Sequence, residues 1–278
     1  MASVLIPAHD EERVLGATLA AVLDGLGDEV EVLVACNGCK DGTAAVARRF
    51  APRVRVLEIE AASKVAALNA AEAQAPSFPR VYLDADIPIR GADLMQVIAA
   101  LERPGALAAE PHARFDLTGA AWPVRAWYAV WRGLHGREPG DVGGGLYALS
   151  AAGRARFGAF PDVIADDGYV RAHFAPHEIT SVAGAETLVR VPRTLGDLVR
   201  TKTRSKLGGL QLAQRFPELW DRKRAAGRSL RRKVAALPVR LWPLVPVYLA
   251  IQAWVQRRAR RQLAQREAYR WERDLSTR

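Results

Sequence analysis

Two acidic pairs and one alternating run of cations are the residues of this chain best suited to chemistry. Asp84 and Asp86 flank the small Ala85 directly after the apolar run Val81 to Leu83, and Ile87-Pro88 closes the segment. Carboxylates at a strand end supply hard oxygen ligands of the kind Mg2+ and Mn2+ prefer, usually completed by substrate phosphates. A cation held by Asp84 and Asp86 would act as a Lewis acid on a departing nucleotide diphosphate. The same string also reads as a turn carboxylate capping the next helix. About eighty residues on, Asp166-Asp167 interrupts an otherwise apolar stretch. One of the two could take a proton from an acceptor hydroxyl, its neighbour tuning its pKa by repulsion. The competing reading is N-capping of a helix over Gly168 to Phe174. Finally, Arg200, Lys202, Arg204 and Lys206 alternate with polar residues. They suit a diphosphate and the charge that develops on it, or else form a solvated basic face.

Cys36 and Cys39, the two cysteines of the chain, have C-x-x-C spacing after an apolar run. That suits a redox pair or half a zinc site. His9, His112, His135, His173 and His177 show no metal-ligand spacing with them, which leaves zinc two ligands short.

The elements that must position these groups follow from periodicity. Short aliphatic runs, Val4 to Ile6, Val30 to Ala35, Val54 to Ile59 and Val81 to Leu83, alternate with amphipathic ones, Glu11 to Leu23, Asp41 to Phe50, Lys64 to Ala73 and Gly91 to Leu101. This βαβα pattern predicts an α/β fold, a mostly parallel sheet with helices on both faces, whose ligands bind beyond the carboxyl ends of the strands. The residues that follow the strands are His9 to Glu12, Asn37 to Asp41 and Asp84 to Asp86, and they should converge on one edge. Trp122 to His135 reads as an aromatic-rich helix that lines an acceptor groove or packs into the core. Gly143-Gly144-Gly145 leads into the apolar run Leu146 to Leu149.

Charge divides the chain. Residues 1–199 hold 19 Lys/Arg against 25 Asp/Glu, whereas residues 200–278 hold 21 against 5. An acidic globular part suits a divalent metal, and a basic, tryptophan-bearing tail suits anionic lipid. Leu241 to Val255 is free of charge but too short for a span, and Arg257, Arg258, Arg260 and Arg261 follow it. It fits an element seated in the interface of an anionic leaflet, the alternative being a core-docking helix with a solvated basic face. No charged and apolar leader opens the sequence, so a cytoplasmic protein, peripheral on the inner face of the membrane, is expected.

Five segments, in order, resemble the family 2 glycosyltransferases, inverting enzymes of the GT-A fold. Val4 to Glu12 is similar to the family's strand, Pro-Ala-Tyr-Asn-Glu and helix start; Val34 to Thr43 to its Val-Asp-Asp-Gly-Ser-Thr-Asp-Gly-Thr segment; Lys64 to Asn69 to Gly-Lys-x-x-Ala-Leu-Asn; Asp84 to Asp86 to D-x-D; and Asp166-Asp167 to the Glu-Asp carrying the general base. The resemblance implies that Pro7, Ala8 and Glu11 line a nucleoside pocket, with Asn37 against the base and Lys64 near the donor. It further implies that Asp86 binds the metal, that Asp84 contacts ribose or metal-bound water, and that Asp167 is the base, with Asp166 beside it. Gly143 to Gly145 resembles the stretch that approaches donor sugar and acceptor. Lys202 and Arg204 stand roughly where some members carry Gln-x-x-Arg-Trp for the diphosphate. Cys36 and Asn37 occupy positions where the family has aspartates, so the nucleotide is left open, and Asp166 replaces the usual Glu.

The expectation is thus a GT-A catalytic domain over 1–215 and a basic helical, membrane-associating tail over 216–278. The enzyme would move one sugar from a nucleotide-diphosphate donor to a hydroxyl of a lipid-linked or envelope glycan, with Mn2+ or Mg2+, inverting configuration. A nucleotidyltransferase would carry a glycine-rich basic loop where this chain has His9-Asp10-Glu11-Glu12. A non-enzymatic basic protein binding membrane or nucleic acid explains the tail but not acids at successive strand ends. No nucleic-acid partner is expected, for want of any recognisable binding module.

Overall fold

Val4, Leu5 and Ile6 are all fully buried, as a strand covered on both faces requires. They lie in β1 (Ala2–Ala8), which is flanked in parallel by β2 (Val30–Asn37) and β4 (Arg80–Leu83), with β3 (Val54–Ile59) beyond β2. The computed structural model describes residues 1–135, 144–225 and 234–264. Two units interleave along the chain: residues 1–114, 143–162 and 177–189 form the first, and residues 115–142, 163–176 and 190–278 the second. Neither coincides with a contiguous block ending at residue 215.

In the first unit, α1 (Leu15–Leu23) leads from β1 to β2, and α2 (Thr43–Arg48) from β2 to β3. Next, α3 (Lys64–Gln74) leads to β4, and α4 (Gly91–Leu101) to β5 (Ala108–Asp116). The sheet order is β3-β2-β1-β4-β6-β5-β7, with β6 at Leu146–Leu149 and β7 at Ile179–Arg190. Side chains alternate across the sheet, so Val4 and Ile6 join Leu15 and Leu19 of α1 and Leu94 of α4 in one cluster, while α3 packs on β1 and β2. The chain winds outward from β1 to β3 and then returns to place β4 on the other side of β1. That reversal makes the carboxyl ends of β1 and β4 the topological switch point, where open α/β sheets bind ligands. Strand β6 runs antiparallel to β4, pairing Tyr82 with Tyr147 and stacking their rings 4.7 Å apart.

Beneath that stack, Glu72 of α3 is buried with Arg154, Arg80 and the Tyr82 hydroxyl. Arg154 belongs to the short helix α6 (Ala151–Arg154). Burial alone would raise the Glu72 pKa, but hydrogen bonds from Arg154 and Tyr82 outweigh it and hold the carboxyl below its ordinary value.

The second unit is helical: α5 (Trp122–His135), α7 (Asp166–Arg171), α8 (Leu195–Arg215), α9 (Pro217–Ala225) and a helix over Val245–Ala264. Thr194 caps α8: its Oγ1 accepts from the Asp197 N–H at 3.1 Å and donates to Asp197 Oδ2 at 2.5 Å. Trp127 of α5 is buried in the core beside Leu198 and Val199 of α8, whereas Trp122 remains 56% exposed.

Tyr248, Ile251, Val255 and Ala259 lie on one stripe of the Val245–Ala264 helix and are buried, the first three in the same core as Trp127. Each of the larger three contributes about 1.5–3 kcal/mol of apolar burial. The segment is therefore docked through one face. Leu249, Trp254, Arg257, Arg260 and Arg261 occupy the opposite, exposed face. No helix among the described residues is long and apolar enough to cross a membrane. Gly143 and the arginines beyond residue 264 lie outside the described residues.

Candidate active site

The end of β4 turns sharply. Asp84 N–H donates to the Gly145 carbonyl at 2.8 Å, extending the β4–β6 ladder by one bond, and Ile87 N–H donates to the Asp84 carbonyl at 3.1 Å. The turn leaves Asp84 and Asp86 partly exposed around a buried Ala85. Lys64, the first residue of α3, reaches across to place its Nζ 2.8 Å from Asp84 Oδ1. Gly145 has φ +67°, and a Cβ there would run into Ile87 and stand 3.3 Å from Asp84 Oδ2. Glycine thus keeps the second carboxylate oxygen clear. Two carboxylates with hard oxygens at a strand end, with an ammonium beside Asp84, fit the donor set of Mg2+ or Mn2+.

Beside them, the carboxyl ends of β1 and β2 are stitched together. Register pairs Ala8 with Cys36, so the two following loops meet. Glu11 N–H donates to Thr43 Oγ1 at 2.7 Å, Glu12 N–H to Asp41 Oδ2 at 3.2 Å, and Gly42 N–H to Glu12 Oε2 at 3.0 Å. The chain makes a turn through Glu12 to Val14, and α1 begins only at Leu15, later than periodicity predicts. Pro7 and Ala8 are buried within β1 itself, and Glu11 is partly buried beyond it. Asn37 is 3% exposed, and the amide orientation that satisfies both of its groups has it donate to the Ala8 carbonyl at 2.8 Å and accept from the Ser63 N–H at 3.2 Å. Gly38, with φ +56°, lets the loop pass Ala62, which a Cβ would meet at 2.7 Å.

Asp166 and Asp167 belong to the second unit, in the first turn of α7. The helix has Ala165 at its N-cap with no side-chain cap bond, so neither aspartate is the capping residue that one reading of the sequence makes of them. They differ in environment: Asp166 is 4% exposed and Asp167 is open to solvent, its Oδ1 accepting from the Gly168 N–H at 2.7 Å.

Lys202 and Arg204 lie on α8, also in the second unit. Lys202 does not extend into a solvated basic face. Its Nζ sits over three rings of α5, 4.9 Å from the Trp127 centroid and 5.2 Å from those of Tyr128 and Trp131. Burial, reinforced by the Arg204 charge, pushes its pKa down to about 8. The ring faces favour the ammonium form, and among the described residues no carboxylate is paired with it. Spacing along α5 puts Trp127, Tyr128 and Trp131 near one another, but which helix face meets α8 cannot be read from spacing alone.

The model of glycosyl transferase family 2 matches residues 3–157, more than half of the chain. This chain belongs to glycosyl transferase family 2. The match covers Pro7, Ala8, Glu11, Asn37, Lys64, Asp84 and Asp86, and it ends before Asp166. No curated sequence matches the chain. Among solved structures, it resembles the mannosyltransferase PcManGT from Pyrobaculum calidifontis in complex with GDP-Man and Mn2+, at 19% identity and TM-score 0.68 over 96% of this chain and 88% of that one. TarS 1–349 from S. aureus follows at 13% identity and TM-score 0.56, over 98% and 93%. Glucosyl-3-phosphoglycerate synthase from Mycobacterium tuberculosis with Mn2+ and UDP-glucose is 18% identical, TM-score 0.55, over 77% and 78%. At these identities the likeness establishes the GT-A fold and leaves substrate to the chemistry of the site.

Proposed function

We propose that this family 2 member is an inverting, metal-dependent transferase that moves a sugar from a nucleotide-diphosphate donor to a hydroxyl acceptor. The observation that carries the reading is the acidic turn at the switch point, where Asp84 and Asp86 follow β4 and Lys64 stands 2.8 Å from Asp84. Asp86 and Asp84 would hold Mn2+ or Mg2+, which supplies Lewis-acid stabilisation of the diphosphate leaving group. Pro7, Ala8 and Glu11 would bound the nucleoside. Asn37, whose amide is already engaged by the Ala8 and Ser63 backbones, would hold the shape of that wall and present its remaining amide capacity to the base. Lys64 would orient Asp84 and face the donor.

Asp167 is the stronger of the two candidates for general base, because its carboxylate is open to an acceptor while Asp166 is buried. It would receive the acceptor proton as the oxygen attacks the anomeric carbon from the face opposite the diphosphate. Lys202, a caged cation without a carboxylate partner among the described residues, and Arg204 would receive the negative charge of the diphosphate. That PcManGT was solved with GDP-Man and Mn2+, and the synthase with UDP-glucose and Mn2+, supports this class of donor and ion.

Thermal-shift titration against UDP, GDP, CDP and dTDP, each with and without Mn2+, tests the reading. A Mn2+-dependent shift with one diphosphate supports it and names the donor class; no shift with any, in folded protein, refutes it.

The exposed face of the Val245–Ala264 helix favours a membrane-presented acceptor, a lipid-linked or envelope glycan precursor. Trp254 is 53% and Leu249 46% exposed, beside Arg257, Arg260 and Arg261. Apolar anchors among arginines suit an anionic leaflet. Deleting the segment would strip Tyr248, Ile251 and Val255 from the core, so the informative variant is Trp254→Ser with Leu249→Ser. Loss of cosedimentation with anionic vesicles at unchanged melting temperature is expected, and retained cosedimentation would remove this part of the reading.

A further inference from the structure

The C-x-x-C pair leaves zinc two ligands short along the sequence, but the parallel register changes that count. Because Ala8 lies opposite Cys36, the residues one step beyond β1 and just past β2 come together. His9, Asp10 and Cys39 each offer one ligand atom there, all within 4.8 Å of one another, and all three side chains are partly buried. His9 Nδ1 lies 2.5 Å from the Asn37 carbonyl. A carbonyl can only accept, so Nδ1 carries a proton, and in the neutral ring Nε2 is then the nitrogen that presents a lone pair. That is the arrangement in which protein imidazoles ligate metals, the second nitrogen fixed by an outer hydrogen bond. Nε2 points toward Asp10, 4.0 Å from Oδ2. The other oxygen, Asp10 Oδ1, accepts from the Lys40 N–H at 2.6 Å, and Asp10 itself has φ +49°. A non-glycine residue in the left-handed region is uncommon and persists where its surroundings hold it. Cys39 Sγ is 3.5 Å from the Ala8 carbonyl, on the same edge.

We propose that His9, Asp10 and Cys39 form a zinc(II) site at the carboxyl ends of β1 and β2, separate from the Asp84–Asp86 turn. The donor set selects the ion: imidazole and thiolate favour zinc over Mg2+ or Mn2+, which prefer oxygen alone. Tetrahedral zinc with ligands at about 2.0–2.3 Å spaces its donor atoms about 3.3–3.7 Å apart, so modest side-chain rotation closes the cluster. Three protein ligands leave the fourth position to water. Binding converts the Cys39 thiol to a thiolate with release of one proton to solvent. The bound ion and the two anionic ligands then sum to zero charge. Cys36, buried in the sheet, stays outside the ligand set. The inference does not depend on the glycosyl-transfer reading.

The test uses the full chain, reduced and chelator-treated, titrated with Co2+ and then with Zn2+. One equivalent of Co2+ should produce thiolate-to-cobalt charge-transfer absorption in the near ultraviolet, and Zn2+ should abolish it by displacement. Zn2+ should also protect Cys39 from alkylation, read by peptide mass spectrometry on the wild type, so no variant has to fold for this result. Cys39→Ser and His9→Ala, with native circular dichroism, should lose the absorption. Cys36→Ala, and Asp84→Asn with Asp86→Asn, should keep it. Absence of charge transfer in the wild type, alkylation of Cys39 unaffected by Zn2+, binding that survives Cys39→Ser, or binding lost with Asp84→Asn and Asp86→Asn would each overturn the proposal.

Discussion

The Lys64 ammonium lies 2.8 Å from Asp84 Oδ1, so the acid at the strand end has a cationic partner within the chain itself. Any divalent ion that enters must share Asp84 with Lys64. Replacing Lys64 with Met should therefore raise affinity for Mn2+ alone by about two- to fivefold, the worth of a partly exposed ion pair. The same variant should weaken binding of the diphosphate in the presence of Mn2+, because a donor-facing charge is lost. Calorimetric titration of each ligand separates the two effects, and a fall in both affinities would mean that Lys64 organises the site instead of competing for it.

For the two aspartates of α7, burial gives opposite expectations. Asp167→Asn should lower transfer about 10²–10⁴-fold with the melting temperature and the diphosphate-induced shift unchanged, as loss of a general base would. Asp166→Asn, at a buried position, should lower the melting temperature. Single-turnover assays with melting curves check both, and near-normal transfer by Asp167→Asn would remove it as the base.

Lys202 carries a pH signature. Its folded-state pKa of about 8 lies below the unfolded value of ~10.4, so between these values the unfolded chain binds the extra proton. Stability should rise as pH climbs through this window, by on the order of 3 kcal/mol less whatever the three rings return to the ammonium. Lys202→Met should flatten the rise, gain stability at pH 7 and weaken diphosphate binding. Urea denaturation at pH 7, 8, 9 and 10 measures it; parallel wild-type and variant curves would show that the lysine is not the titrating group.

Glu72 has the reverse sign. Its folded pKa is depressed, so its contribution is present above ~4.3, the ordinary glutamate value, and is lost as pH falls through the folded value. Glu72→Gln should flatten the acid limb of the stability profile. Glu72→Ala, leaving Arg154, Arg80 and the Tyr82 hydroxyl without their acceptor, should cost about 3–5 kcal/mol. Acid titrations followed by circular dichroism check the first, and chemical denaturation the second.

Strands β1 and β2 were legible in the sequence because a strand buried on both faces must be aliphatic throughout, as Val4-Leu5-Ile6 and Val32-Leu33-Val34 are, whereas the edge strand β3 shows only an aliphatic run broken by Arg55 and Glu58. The Gly91–Leu101 and Trp122–His135 helices were legible by periodicity. Helix α1 starts at Leu15, after a turn whose Glu11 and Glu12 N–H groups are bonded to the Thr43 and Asp41 side chains of the next loop. Such bonds leave no trace in a local window. The same holds for the rings around Lys202 and for His9 beside Cys39, which depend on a helix face and a strand register respectively. The Tyr248 face of the last described helix is apolar in the sequence like its neighbours, and only packing against Trp127 shows which side is inside.

Each parallel strand of the sheet delivers its own loop to a shared edge, with a whole helix separating one delivery from the next. Substitutions at residues 37–40 after β2 need not disturb the Asp84–Asp86 turn, since β2 and β4 each pair with β1 and not with one another. Such an arrangement is modular under selection: the loops after β1 and β2 and the acidic loop after β4 can drift at different rates, and under the proposed function a lineage could exchange its donor by point changes in one loop while the Asp84–Asp86 turn stays intact. Loop grafting among relatives of this fold should respect the same seams.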